Sequence, residues 1–415
     1  MQFTRRAFLK SGGVAMLGFG ALPSFLTRAI AATPMPNGKI LVVIFQRGAS
    51  DGLNVVVPFA EPDYYRLRPT IAIPQPSRGQ NEASIDLDGF FGLHPSLAPL
   101  APIYREGQLA IVHAVGSPDS TRSHFDAQDY MDSGTPGVKS TQDGWLNRHL
   151  QAAPDPEATP FRAVALGSNL PRALQGRAPA VALANAQQFR VMAPSPLAAN
   201  GFEALYAETA DRMLAGQGQE TFEAIDMLQK ADVSRFQPES GADYPRSKFG
   251  QSLLQVAQFI KANIGLEAAF IESGGWDHHT NEGGTQGQLA NLLRDLGQGL
   301  AAFHRDLGDR MKDITVVTMS EFGRTAAENG NRGTDHGHAN CMFVMGGPVK
   351  GGKVYGRWPG LQDGQLNEGR DLAVTTDFRT VLGELIERHL GDRELDRVFP
   401  GFENDRSKSL GLVRV

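Results

Sequence analysis

The stretch ITVVTMSEFGRT (residues 314–325), followed after a polar loop by GTDHGHANC (residues 333–341), governs how the rest of the chain is read. Its apolar β-formers run without alternation and end at Ser320-Glu321. That pattern predicts a strand buried on both faces of a parallel sheet, with a carboxylate at its C-terminal end. Asp335, His336 and His338 follow in a loop dense in ligands that divalent metals use. Gly337 between them is expected to allow a tight turn on which neighbouring ligands converge. Upstream, Trp276-Asp277-His278-His279 also follows an apolar run, LEAAFIES, and the two clusters are expected to meet in one metal site.

Outward from this pair the same grammar repeats. Lys39–Phe45 is another unbroken apolar run and ends in Arg47-Gly48-Ala49-Ser50-Asp51-Gly52. Gln108–Val115 is followed by Gly116–His124, which brings Thr121, Arg122 and Ser123 to the start of an expected helix over Phe125–Met131. Free N–H groups at such a start favour anions. Phe161–Gly167 and Met342–Met345 read as further strands, and Asn54–Pro58 as a short one. Lys248–Asn263 and Leu289–Leu307 read as amphipathic helices, the second with leucines at three- and four-residue steps. Residues 201–230 read as helix-rich, and 377–389 as a helix. Strands alternating with helices predict one α/β domain over residues 32–415, built on an open, mostly parallel sheet. Ligands of such sheets bind outside the carboxyl ends of the strands, where these polar clusters would gather.

Composition sets outer bounds. The chain has 415 residues, a net charge of −5, and 41% hydrophobic against 20% charged residues. Without a Lys/Arg run, and with an acidic balance, a nucleic-acid surface is not expected. The single cysteine, Cys341, precludes an internal disulfide and reads as a small buried hydrophobe. Residues 1–31 read as a twin-arginine export signal: Thr4-Arg5-Arg6-Ala7-Phe8-Leu9-Lys10, an apolar segment, and Ala29-Ile30-Ala31 for cleavage. The expected route is the twin-arginine translocase, the expected destination periplasmic or secreted, with no membrane anchor in the mature form.

The chemistry of the clusters allows one metal, polarising an oxygen or lowering the pKa of bound water, or two metals clamping an in-line displacement at phosphorus. Ser123 or Thr121 could act as nucleophile, and Arg47, Arg122 or Arg324 could grip an anionic ester. Competing readings are plain. Asp51 fits a turn, Ser123-His124 fits a helix cap followed by a surface histidine, and Glu321–Arg324 fits an internal ion pair. His94, His113, His149, His304 and His389 are scattered and read as structural or solvated.

Five segments together resemble the secreted bacterial family called domain of unknown function 1501. They are Gln46–Asn54, Thr121–Phe125, Gly275–His279, Ser320–Thr325 and Gly333–His338. That family is similar to the alkaline phosphatase-like superfamily of phosphatases, sulfatases and phosphoglycerate mutases. The resemblance implies a doubly wound core, a one- or two-metal site of zinc, manganese, calcium or magnesium, and a nucleophile at a helix start, where Ser123 falls with Thr121 as alternative. Asp51 matches the carboxylate after the first strand, and Asp277 with His279 an Asp-and-His metal pair. Asp335, His336 and His338 match either an Asp-His pair or the final histidine before the last strand; on the second register Glu321-Phe322 takes the pair's place and Phe322 stands where a histidine would bind metal. The implied activity is hydrolysis of phosphate or sulfate esters. Formylglycine-type sulfatase chemistry is not expected, because Cys341 lies far from the nucleophile position. A metal-stabilised binding protein without catalysis, and a hydrolase of another bond such as an amide, are the other expectations carried forward.

Overall fold

The computed structural model describes residues 38–155, 158–185, 227–228 and 230–414. The twin-arginine segment and nearly all of the expected helical region 201–230 lie outside the described residues. The strands, in chain order, are β1 Ile40–Arg47, β2 Val56–Val57, β3 Ile85–Asp86, β4 Gly92–Leu93, β5 Leu109–Gly116 and β6 Ala163–Leu166. They continue with β7 Val181–Leu183, β8 Ala268–Gly274, β9 Ile314–Met319, β10 Asn340–Gly346, β11 Lys353–Tyr355 and β12 Thr376–Asp377. The main sheet runs β11-β5-β10-β9-β1-β8-β6-β7, with β12 paired to β5; β2, β4 and β3 form a small second sheet.

β1 lies at the centre and is parallel to both neighbours, Val43 opposite Phe270 on β8 and Val317 on β9. Its alternate residues serve two cores. Val42 and Ile44 pack with helices Lys248–Ala262 and Gln288–Leu307 on one face. Leu41, Val43 and Phe45 pack with helices Trp145–Ala152 and Phe378–Arg388 on the other. Two apolar faces explain why the run has no polar alternation. The sheet is therefore α/β and mostly parallel, with helices on both faces.

Two local expectations are corrected. Asn54–Pro58 is not one strand: Gly52–Val55 forms a single helical turn, and only Val56–Val57 is extended. The strand beginning near Cys341 runs antiparallel to both neighbours, β5 and β9. This second point positions the site. Since β10 runs backwards, its N-terminal end lies at the same edge as the carboxyl ends of β1, β5, β8 and β9. Both limbs of the loop from Ser320 to Ala339 therefore rest on that edge, and all five polar clusters meet there.

Candidate metal centre

Three imidazoles and one carboxylate converge at this edge. His124 is the first residue of helix His124–Ser133, capped by Ser123. Asp277 and His279 lie past β8, and His336 lies in the β9–β10 loop. The Nε2 atoms of His124 and His336 are 2.9 Å apart, as are those of His279 and His336. Oδ1 of Asp277 is 3.0 Å from Nε2 of His279 and 3.4 Å from Nε2 of His336, and Oδ2 is 3.4 Å from Nε2 of His124. The ligand atoms of His124, Asp277 and His336 all lie within 4.8 Å of one another.

The opposite nitrogen of each ring is fixed by an oxygen. Nδ1 of His124 meets Oε1 of Glu321 at 2.8 Å, Nδ1 of His279 meets Oδ1 of Asp335 at 2.9 Å, and Nδ1 of His336 meets the Arg122 carbonyl at 2.9 Å. Carboxylates and carbonyls only accept, so each Nδ1 carries the hydrogen. In the neutral rings all three Nε2 atoms then present lone pairs toward one another and toward a carboxylate. Such a nest of acceptors calls for a cation. Bonds of about 2.0–2.1 Å would put neighbouring ligand atoms of a tetrahedron roughly 3.3 Å apart, near the 2.9–3.4 Å found among His124, Asp277 and His336. Oxygen partners on the far nitrogens are the usual support of metal-binding histidines. The residues present fit a divalent metal.

The neighbours hold this geometry. Arg324 is almost fully buried and donates to Oδ1 of Asp277 at 2.6 Å and to the carbonyls of Gly48, Ala49, Trp276 and Thr334. Burial pushes the Asp277 carboxyl up, but the Arg324 hydrogen bond and charge outweigh it, leaving it below the usual range. The hydrogen bond to Glu321 raises the His124 imidazole above its ordinary value against the effect of burial. Burial lowers that of His336. Glu321 accepts in addition from Gln128 and the Gly48 amide, both at 2.8 Å. The Phe322 ring lies 5.0 Å from both His124 and His336 and closes the site from below with Ala49 and Ala127.

Glycine makes two close approaches possible. A Cβ on Gly337 would lie 2.2 Å from the Arg324 carbonyl carbon, and one on Gly48 would lie 2.8 Å from the Asp277 amide. Gly337 thus serves contact between the two limbs of the loop, donating its N–H to the Gly323 carbonyl at 2.8 Å, more than a turn.

The remaining sequence candidates fall as follows. Glu321 and Asp335 sit one bond outside the cluster, behind His124 and His279. His338 points elsewhere, its Nε2 at 3.0 Å from the Ser117 carbonyl. Asp51 is sealed below: both its oxygens take hydrogen bonds from Arg68, itself fully buried. Arg47 is held by Asp132 and Glu272, each at 2.8 Å. Arg122 is held by Asp371 at 2.6 Å and Glu368 at 2.8 Å. Ser123 is exposed at the helix start and caps the amide of Asp126, and Thr121 accepts from the Ser123 amide at 3.3 Å. Reading His124 as a surface histidine missed a member of the cluster; its place just past β5, on the shared edge, was the available signal. Arg68 and Glu282 were missed as well.

An α/β protein with a histidine–aspartate centre at the carboxyl edge of its sheet is thereby defined. The chain belongs to the family described as "Protein of unknown function (DUF1501)", whose model matches residues 38–398. Curated proteins offer no match. Among solved structures it is similar to the lipoteichoic acid synthase LtaP from Listeria monocytogenes, at 10% identity and a TM-score of 0.33, covering 74% of this chain and 65% of that one. It is also similar to the PsFucS1 sulfatase from Pseudoalteromonas sp., at 13% identity and a TM-score of 0.33, covering 77% and 64%. The match thus spans less than two thirds of either structure.

Proposed function

We propose that this chain is an exported, metal-dependent hydrolase of phosphate or sulfate esters. The observation that carries the reading is the convergence of the His124 and His336 lone pairs and the Asp277 carboxylate at 2.9–3.4 Å, with His279 at 2.9 Å from His336. His124, Asp277 and His336 would hold the ion and leave a fourth position open, with His279 beside Asp277 and His336. Two imidazole nitrogens and one carboxylate suit zinc; calcium and magnesium prefer oxygen shells. A divalent ion there would act as a Lewis acid toward an ester oxygen. Ser123 stands exposed at the start of a ten-residue helix, beside His124. Its hydroxyl is the nucleophile of the scheme, and the free amides at the helix start receive the anion. Glu321, Asp335 and the Arg122 carbonyl keep each Nδ1 protonated and each ring oriented. Arg324 keeps Asp277 ionised. The export signal expected in residues 1–31 supports a reaction in the periplasm or outside the cell.

One observation favours a second reading, a metal-stabilised binding protein without turnover. Arg47, Arg122 and Arg324 are all committed to protein oxygens. The test is elemental analysis of protein purified without chelator, beside the Asp277→Ala/His279→Ala double variant, followed by a panel of phosphate and sulfate esters. About one equivalent of zinc, lost in the double variant, with turnover abolished by Ser123→Ala, is expected. Metal without turnover of any ester selects the second reading. A metal-free wild type sinks both.

A further inference from the structure

The ester reading needs a cation to receive the substrate's anionic oxygens, and the three arginines visible as candidates in the sequence are each paired with a carboxylate. A fourth stands on the same rim. Arg370 donates through Nη2 to the backbone carbonyl of His336, one of the four residues of the cluster, and through Nε to Oδ1 of Asp371 at 3.1 Å. Asp371 is itself fully buried and takes Arg122 on its other oxygen. The segment is pinned further. Ala326 donates to the Arg370 carbonyl at 3.0 Å, and Thr325 and Asp371 form a β-bridge. The backbone and one edge of the guanidinium are therefore fixed while the side chain as a whole stays 44% exposed. Nη1 has no hydrogen-bond partner among the described residues.

We propose that Arg370 is the anion-binding residue of this site, with Nη1 directed to a non-bridging oxygen of a phosphate or sulfate monoester held at the histidine–aspartate cluster. This rests on the ester reading above. A guanidinium anchored on one edge and free on the other is suited to the task. Its two anchored nitrogens limit the rotamer freedom lost on binding, and a charge-assisted N–H to an anionic oxygen is among the stronger hydrogen bonds. Arg122 differs in that two carboxylates, Asp371 and Glu368, neutralise its charge through Nη2, whereas Arg370 meets one carboxylate and one carbonyl.

The experiment measures equilibrium binding of inorganic phosphate to the zinc-loaded full chain by calorimetry, in wild type, Arg370→Met and Arg370→Lys, with zinc content determined on each sample. Arg370→Met is expected to weaken phosphate about 10–100-fold, the range for a hydrogen bond to a charged group, with zinc content unchanged. Arg370→Lys is expected to recover part of the loss. Unchanged phosphate affinity in Arg370→Met with zinc in place overturns the assignment and leaves the ester reading standing. Zinc lost together with phosphate also overturns it, reducing Arg370 to a support for His336. Absence of phosphate binding in zinc-loaded wild type overturns the assignment and the ester reading together. Phosphate binding of the expected pattern without turnover of any ester supports the anion site and removes only the hydrolase.

Discussion

Asp51 and Asp277 lie past the ends of adjacent parallel strands, each facing a buried arginine, yet they do opposite work. Arg324 gives Asp277 one N–H, and the carboxylate stays 43% exposed with both oxygens within 3.4 Å of imidazole nitrogens. Arg68 takes Asp51 from both sides and adds the carbonyls of Thr325 and Ala326 and the amide oxygen of Asn54. Glu282, also fully buried, joins Asp51 and accepts from the Thr334 hydroxyl at 2.7 Å. Two carboxyls and one guanidinium share that pocket. Burial and the neighbouring Asp51 charge push Glu282 well above its ordinary value, so it stays protonated. Burial drives Asp51 up too, but Arg68 outweighs it and Asp51 is the ionised partner. What separates a candidate ligand from a structural rivet is thus the number of protein donors already satisfied, since both are aspartates after a strand.

The largest effect that could break this contrast is at Arg68. Arg68→Met leaves Asp51 without its counter-charge in a dry pocket and should cost about 3–5 kcal/mol, read as the shift of the urea midpoint. A loss under about 1 kcal/mol would show the pocket to be wet and the rivet dispensable. Next comes the paired exchange Asp277→Asn and Asp51→Asn. The first should weaken zinc by about 100-fold or more in a chelator competition, at or above the top of the range for residues behind the ligands, whereas the second should lower the melting temperature and leave zinc affinity within about threefold. Equal zinc losses would erase the distinction. Glu321→Gln tests the layer behind His124 and should weaken zinc about 10–100-fold with Asp277 intact.

A smaller effect sharpens the protonation side. Glu282 has a folded pKa above its unfolded value of about 4.5, so folding near neutral pH retains a proton that the unfolded chain releases. Wild type should therefore lose stability as pH rises above about 4.5, and Glu282→Gln, which mimics the protonated form, should not. The smallest test uses a buried ion cluster remote from the edge. His149 bonds Asp392 at 2.8 Å and Glu267 at 3.0 Å. Burial lowers its imidazole, but these two carboxylates outweigh it and the pKa ends above the usual 6.5. Its stabilisation is full below that value and lost as pH rises through the folded pKa. The two carboxylates lie below their unfolded values of 4.5 and 3.8, so their contribution fades only in acid. The advantage of wild type over His149→Gln in melting temperature should peak between roughly pH 4.5 and 6.5.

Much of this architecture was legible because burial on two faces forces apolar runs, and each run ended in residues that pay no part in a core. The meeting of Asp277, His279 and His336 followed from that rule. Strand direction did not, since a run of valines is the same read either way. The clue lay between β9 and β10, where no amphipathic segment supplies the crossover helix that a parallel return needs. His124 escaped because a single histidine after a capping serine has an adequate local explanation. Arg68 and Glu282 escaped because they lie in segments without periodicity, and only the closed fold shows the carboxylate they share.

The β9–β10 loop, crossed at Gly323 and Gly337, carries a consequence for how such a site can diversify. The pinch fixes at their base the limb that carries His336 and the limb that carries Glu321 and Arg324, while Gly330 at the far tip meets nothing within 4 Å of where a Cβ would stand. Residues added at that tip would lengthen an arm over the open rim without moving His336 or Arg324. The loop is therefore a graft point, where a new reach toward larger substrates can be acquired while the chemistry beneath it is inherited unchanged.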